Sequence, residues 1–125
     1  MIAFTRIAAS FGASGVLLGA FGAHGLKATL AAHDAVAIWH TASWYHLVHA
    51  AVLLCLATRA PINTLAFKLF GWGILVFSGS LYLLALTAIK PLGAITPLGG
   101  LLLIAGWTSL FFSPPSPPNT QDPGL

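Results

Sequence analysis

Charge is missing from four long stretches of this sequence, and that feature constrains the fold more than any other. The four uncharged stretches are residues 7–23, 35–58, 69–89 and 91–113. At about 1.5 Å per residue, roughly 20 helical residues cross a hydrocarbon layer of about 30 Å. The last three stretches reach that length outright, and the first reaches it when its flanking polar residues lie among the lipid headgroups.

The composition excludes a water-soluble globular fold. Only 6% of the 125 residues are charged, whereas a soluble domain carries about a quarter. The sequence therefore predicts an all-α integral membrane protein, a bundle of four transmembrane helices. Polar and apolar residues do not alternate, which argues against transmembrane strands. We predict one transmembrane domain over residues 1–112, with helices at about 4–24, 36–58, 65–89 and 92–112.

Three segments lie between or after the predicted spans. Residues 25–34 are predicted to form a short interfacial segment between the first two helices. Pro61 ends the second helix, and Asn63 or Thr64 can cap the third. Residues 113–125 are rich in proline, which removes backbone donors and favours an extended chain. This tail is therefore predicted to be flexible.

The basic residues are scattered among the apolar runs. Such scattering excludes the clustered basic surface that nucleic acid requires and makes the lipid bilayer the expected partner. Arg6, Arg59 and Lys68 are predicted on one side of the membrane. Lys27 and Lys90 are predicted on the other side. By the positive-inside rule, both termini then lie in the cytoplasm.

The first apolar run also resembles a cleavable signal peptide, an alternative that would leave three helices. Against it stand four small residues at helical spacing, for which a discarded leader has no need. They are Gly12, Gly15, Gly19 and Gly22. Because small residues let helices approach closely in lipid, we predict that they form one packing face on a retained helix.

Two histidines lie near the predicted midplane of the bilayer. His49 is about 16 Å from the start of the second helix, and His46 lies one turn earlier on the same face. Ionisable residues at such depth are costly, so each is a candidate for function. With His24 they form a predicted polar track. Such a track suits a proton path, a metal or haem site, or a pocket for a lipid headgroup.

A structural interpretation of the same histidines remains open. A neutral imidazole donates one hydrogen bond and accepts another, and so can join two helices. No carboxylate lies within a predicted helix to orient a metal-bound imidazole or to act as an acid or base. Cys55, the only cysteine, is interpreted as a small buried apolar residue. Metal and cofactor stay unassigned, and a non-enzymatic protein is favoured.

Other polar residues add to the candidate set. Ser78 and Ser80 are small enough for close helix packing or for a pocket wall. Pro97 cannot donate to the Gly93 carbonyl, which predicts a kink facing the bundle interior. The ligand-binding candidates are His24, Tyr45, His46, His49, Ser78, Ser80, Tyr82 and Thr96.

Four stretches together resemble one family of membrane proteins. They are residues 19–26 (GAFGAHGL), 39–50 (WHTASWYHLVHA), 77–87 (FSGSLYLLALT) and 90–100 (KPLGAITPLGG), with Gly106-Trp107 following. The combination resembles the YgdD/YwdK family of small four-helix membrane proteins of unknown function, which has eukaryotic relatives. The resemblance covers residues 7–112. It implies a retained first helix and a bacterial inner membrane, and it implies no reaction, substrate or site.

Two functions follow as expectations. The first is a small non-enzymatic component of a membrane assembly, either a homo-oligomer or part of a larger complex. The alternative is a binding or transport protein that uses the histidine track for a proton, metal, haem or lipid headgroup.

Overall fold

A computed structural model of the chain describes residues 2–115, and all of its regular elements are helical. Among those residues there is no strand. The helices are α1 Ile2–Ala23, α2 Lys27–Ala32, α3 Val36–Ala57, α4 Thr64–Thr87 and α5 Thr96–Phe111, with a 3-10 segment at Lys90–Ala94 before α5. The short interfacial segment that the sequence predicts contains α2. Of the predicted tail, residues 116–125 lie outside the described part of the chain.

Three segments are long and apolar enough to cross a membrane. They are Ile2–Ala23, Thr64–Thr87 and Lys90–Phe111. Helix α3 also has 22 residues and no formal charge, but its three histidines lower its mean hydropathy. The chain is thus an all-helical protein with three clear candidate spans.

The helices pack in the order α1, α3, α4, α5. Each neighbouring pair in that order is in contact, whereas α1 and α5 have no Cα atoms within 8 Å of each other in the described residues. Helices α3 and α5 also lack such backbone contact. The arrangement is therefore an open row, which leaves clefts between helices that are not direct neighbours.

The core has two apolar layers with a polar layer between them. One apolar layer joins α1, α3, α4 and α5 around Phe67 and Phe70. The other joins α2, α3 and α4 around Leu30 and Trp39. The buried polar residues, which lie on α3 and α4, are Ser43, His46, His49, Ser78 and Ser80.

The glycines of α1 divide into two pairs. A Cβ at Gly22 would overlap the indole of Trp39, and one at Gly15 would lie 2.8 Å from a Leu47 methyl carbon. Gly12 and Gly19 have no such neighbour within 4 Å in the described chain. The predicted packing face is therefore confirmed within the described chain for Gly15 and Gly22 and not for Gly12 and Gly19. The two pairs lie about 60° apart around the helix, so only one pair contacts α3.

Three local predictions have clear outcomes. Asn63 caps α4 as predicted, because its side-chain oxygen accepts from the Ala66 amide at 3.0 Å. The kink at Pro97 is wrong, because α5 begins only at Thr96. Proline in the first turn removes no helix hydrogen bond. The burial of Cys55 is also wrong, because its side chain is exposed while its neighbour Leu56 faces the core.

Candidate functional site

A chain of hydrogen bonds through His46 joins three helices at the centre of the protein. His46 Nε2 lies 3.3 Å from Ser14 Oγ of α1. His46 Nδ1 lies 3.0 Å from the Tyr82 hydroxyl of α4. That hydroxyl lies in turn 3.5 Å from Ser43 Oγ of α3. We call Ser14, His46, Tyr82 and Ser43 the His46 chain.

Both neighbours of the His46 ring are hydroxyls, which can donate or accept. When Ser14 donates to the Phe11 carbonyl at 3.0 Å, Ser14 Oγ accepts from Nε2–H, and Nδ1 accepts from Tyr82. When Tyr82 donates to Ser43, the tyrosine oxygen accepts from Nδ1–H, and Nε2 accepts from Ser14. Each arrangement satisfies a neutral ring. The surroundings of His46 therefore permit both of its tautomers.

A small cleft opens beside the His46 chain, between α1 and α4. Its volume is about 230 Å³, just below the range of roughly 300–1,000 Å³ typical of ligand pockets. Ser14, His46 and Tyr82 lie among its walls, and the rest of the lining is mainly apolar, including Leu18 and Ile74. The cleft suits a small apolar molecule that carries one hydrogen-bonding group.

His49 has a different environment, although it lies only three residues away. Its Nδ1 lies 2.8 Å from the Tyr45 carbonyl oxygen, which can only accept. Its Nε2 accepts from the Trp107 indole N–H of α5 at 3.1 Å, and that indole nitrogen can only donate. Both ring nitrogens therefore have fixed roles, and the ring is held as the neutral Nδ1–H tautomer.

Hydrogen bonds of serine residues on α4 also join this helix to α3 and to α5. Ser78 donates to the Ala42 carbonyl at 2.8 Å, joining α4 to α3. Ser80 Oγ and Thr96 Oγ1 lie 2.7 Å apart and join α4 to α5. These three predicted residues are placed at helix interfaces. Their hydroxyl groups have protein partners, and Ser78 also borders the cleft beside the His46 chain.

Two predicted residues contribute no side-chain hydrogen bond to this network, although the Tyr45 ring stacks on His49 at a centroid distance of 6.0 Å. His24 is exposed at the end of α1, so the structure does not place it with His46 and His49. Tyr45 is 41% exposed, and its ring packs against Phe77 at a centroid distance of 4.5 Å. The predicted polar track of three histidines is thus not continuous. Among residues 2–115, no group of three His, Cys, Asp or Glu side chains is close enough to hold a metal ion.

Sequence reasoning missed four side chains in the network. They are Ser14, Ser43, Trp107 and Trp39, the last of which donates to the Leu18 carbonyl at 2.8 Å. Ser14 could have been found from its position beside Gly15 on a packed helix face. Trp107 gave no local signal, because an indole near a helix end is equally typical of a membrane interface.

Comparison with known proteins identifies similar membrane proteins in bacteria. A family described as "Protein of unknown function (DUF423)" matches residues 18–100, a segment that includes all of α3 and α4. A UPF0382 membrane protein of Staphylococcus aureus is 42% identical over 99 residues, covering 76% of this chain and 80% of the relative. The UPF0382 membrane protein YwdK of Bacillus subtilis is 44% identical over 97 residues, covering 72% and 77%. No solved structure matches this chain.

Proposed function

This chain belongs to the DUF423 family of proteins of unknown function, and from that premise we propose that it is a four-span, non-enzymatic component of a membrane assembly in the bacterial inner membrane. The relatives bear the name membrane protein and come from bacteria, which supports the location. Both termini are proposed to lie in the cytoplasm, from the distribution of basic residues.

Four spans are supported by the position of α3 in the row. Helix α3 packs against both α1 and α4, two helices that are apolar enough to cross a membrane. With 22 residues it is about 33 Å long, which matches the hydrocarbon layer. Its buried histidines, His46 and His49, bind side chains of other helices. We therefore propose that α3 crosses the membrane with them.

One observation carries the non-enzymatic proposal. In residues 2–115, every buried polar side-chain atom already has a hydrogen-bond partner within the protein. The partners of His46, His49, Ser78 and Ser80 include groups on other helices. In lipid such bonds join helices, which supports a structural role for the polar layer.

Assembly requires a surface, and the open glycine pair of α1 offers one that can be tested. Gly12 and Gly19 have no neighbour that a Cβ would meet in the described chain, so a helix from another subunit can approach there closely. Native mass spectrometry in mild detergent should show a species heavier than one chain. Gly12→Leu with Gly19→Leu should convert it to a monomer.

Gly71 of α4 supplies the matched control, because it too has no such neighbour within 4 Å. Gly71→Leu should leave the heavier species unchanged. A lone monomer for the wild-type protein in several mild detergents would contradict the assembly proposal. Loss of the complex in both the α1 double variant and Gly71→Leu would argue against the α1 surface in particular.

A second candidate function rests on the cleft beside the His46 chain. The ring of His46 has two hydroxyl neighbours and borders a cleft of about 230 Å³, which supports the binding of a small molecule there. Small molecules extracted from the purified protein should include one that His46→Phe loses and Ser80→Ala retains. Identical extracts from all three proteins would remove this candidate.

A further inference from the structure

A second and larger cavity lies between α3 and α5, near the loop that joins α3 to α4. We call it the Arg59 groove, and its volume is about 700 Å³. That volume is well within the range of roughly 300–1,000 Å³ for ligand pockets. The groove exists because α3 and α5 both pack against α4 without backbone contact with each other. None of its lining residues belongs to the His46 chain.

The lining of the Arg59 groove is mainly apolar, and its one charged side chain lies at one end, where Pro61 and Ile62 also border it. Arg59 and Asn63 lie at the end formed by the loop, where Ser113 also borders the groove. Cys55 and Ala51 line it further along α3. Ala51 is about 9 Å inside the end of α3. A groove of this kind matches a molecule with a polar head at the membrane surface and an apolar chain below it.

The positive charge of Arg59 predicts that the polar head of the bound molecule is negatively charged. Arg59 has no carboxylate partner in residues 2–115, because the one acidic residue there, Asp34, lies between α2 and α3 at the opposite end of the protein. Asn63 donates to Ser113 at 2.8 Å, so these two groups bind each other. The guanidinium of Arg59 is therefore the group that remains for an anion.

We infer that the Arg59 groove binds an anionic phospholipid, with the headgroup phosphate on Arg59 and one acyl chain along α3. Guanidinium groups bind phosphate oxygens through two parallel hydrogen bonds. The apolar wall of Ala51 and Cys55 continues below Arg59 towards the hydrocarbon layer, where an acyl chain lies and a free anion does not. This binding is independent of any assembly with other proteins.

The experiment measures lipid binding to the full-length protein by native mass spectrometry. Phosphatidylglycerol and phosphatidylcholine with the same acyl chains are titrated separately into the detergent solution. We expect phosphatidylglycerol to bind about fivefold more tightly, the effect of one basic residue at a membrane surface. Arg59→Gln should remove this preference. Lys68→Gln, a control on an exposed residue at the same end, should retain it.

The acyl chain has its own test in Ala51→Trp, which fills the groove while Arg59 stays. This variant should weaken the binding of both lipids by a similar factor. Cys55, the only cysteine, reports occupancy, because bound phosphatidylglycerol should slow its reaction with a small uncharged maleimide. In Arg59→Gln, unlike the wild type and Lys68→Gln, phosphatidylglycerol should protect Cys55 no better than phosphatidylcholine does.

Several outcomes would overturn the inference. An equal loss of affinity for phosphatidylglycerol in Arg59→Gln and Lys68→Gln would mean that binding depends only on the total positive charge at this end of the protein. Competition by glycerol phosphate would indicate a site for a free anion. A maleimide rate that is already low without lipid, and unchanged by it, would mean that another part of the chain or a second copy fills the groove.

Discussion

His46 and His49 lie one turn apart on the same helix, yet their surroundings have opposite chemistry. His46 meets two hydroxyls, each of which can donate or accept. His49 meets a carbonyl and an indole N–H, each of which has a single role. The difference teaches that burial and depth do not decide what a membrane histidine does. The partners decide whether the ring is fixed or able to change its tautomer.

The largest expected effect comes from disrupting the contact between α1 and α3. Gly22→Leu would overlap Trp39, whose ring packs against Tyr82 at a centroid distance of 4.7 Å. We expect a loss of about 3 kcal/mol in the free energy of unfolding, from overpacking of a close contact. Unfolding in mixed micelles of dodecyl sulfate and mild detergent measures it.

Gly19→Leu is the control for that variant when both are compared with the wild type as monomers, because no described atom of the same chain lies within 4 Å of a Cβ there. Its unfolding free energy should change by less than about 0.5 kcal/mol, as at other exposed sites. Equal losses in the two variants would contradict the division of the α1 glycines into a packed pair and an open pair.

The next prediction concerns His49, whose ring has partners with fixed roles. His49→Leu leaves the Trp107 indole N–H without its acceptor, which should cost about 1–3 kcal/mol. Trp107→Phe in the same background should then cost little more, because the two residues share one bond. A coupling energy near zero in the double-mutant cycle would show that the bond does not stabilise the protein.

A smaller loss of unfolding free energy is expected at His46, whose ring can change its tautomer. Tyr82→Phe removes one of the two hydroxyls that contact the His46 ring, but the ring can still bind Ser14 through Nε2 in either tautomer. We expect a loss of about 0.6 kcal/mol, the average for polar contacts between membrane helices. Unfolding in mixed micelles should therefore give Tyr82→Phe a smaller loss than His49→Leu. The reverse order would contradict the comparison.

The last prediction changes no residue and concerns the tautomers directly. In ¹⁵N spectra of protein labelled at histidine, the His49 ring should show one neutral form with the proton on Nδ1. The His46 ring should show averaged nitrogen signals, because both arrangements of its hydroxyl partners are allowed. A single fixed form for both rings would remove the distinction drawn here.

The sequence predicted much of the fold because hydropathy and helix punctuation are local signals. The position after Pro61 predicts either Asn63 or Thr64 as the cap, and the bond from the Ala66 amide shows that it is Asn63. Pro97 was misplaced because a proline with nearby glycines fits a kink as well as a helix start. Cys55 was misplaced because a uniformly apolar helix carries no pattern that separates lipid-facing from protein-facing sides.

Of the candidate site, the sequence identified His46, His49 and Tyr82 as polar residues of apolar helices. It did not identify Ser14 or Trp107 as their partners. Serine and tryptophan are common in membrane helices for several reasons. Their roles become visible only when the helices are assembled.

By itself, the sequence determined that this is a helical membrane protein and that two histidines lie deep within it. Those properties depend on the length and apolarity of single segments, which do not require knowledge of neighbours. The tertiary structure alone decided which helix each histidine faces. Residues three apart point about 60° apart around a helix, and the partners lie 36 residues away for His46 and Tyr82 and 58 for His49 and Trp107. Only the packing of the helices brings such distant residues together.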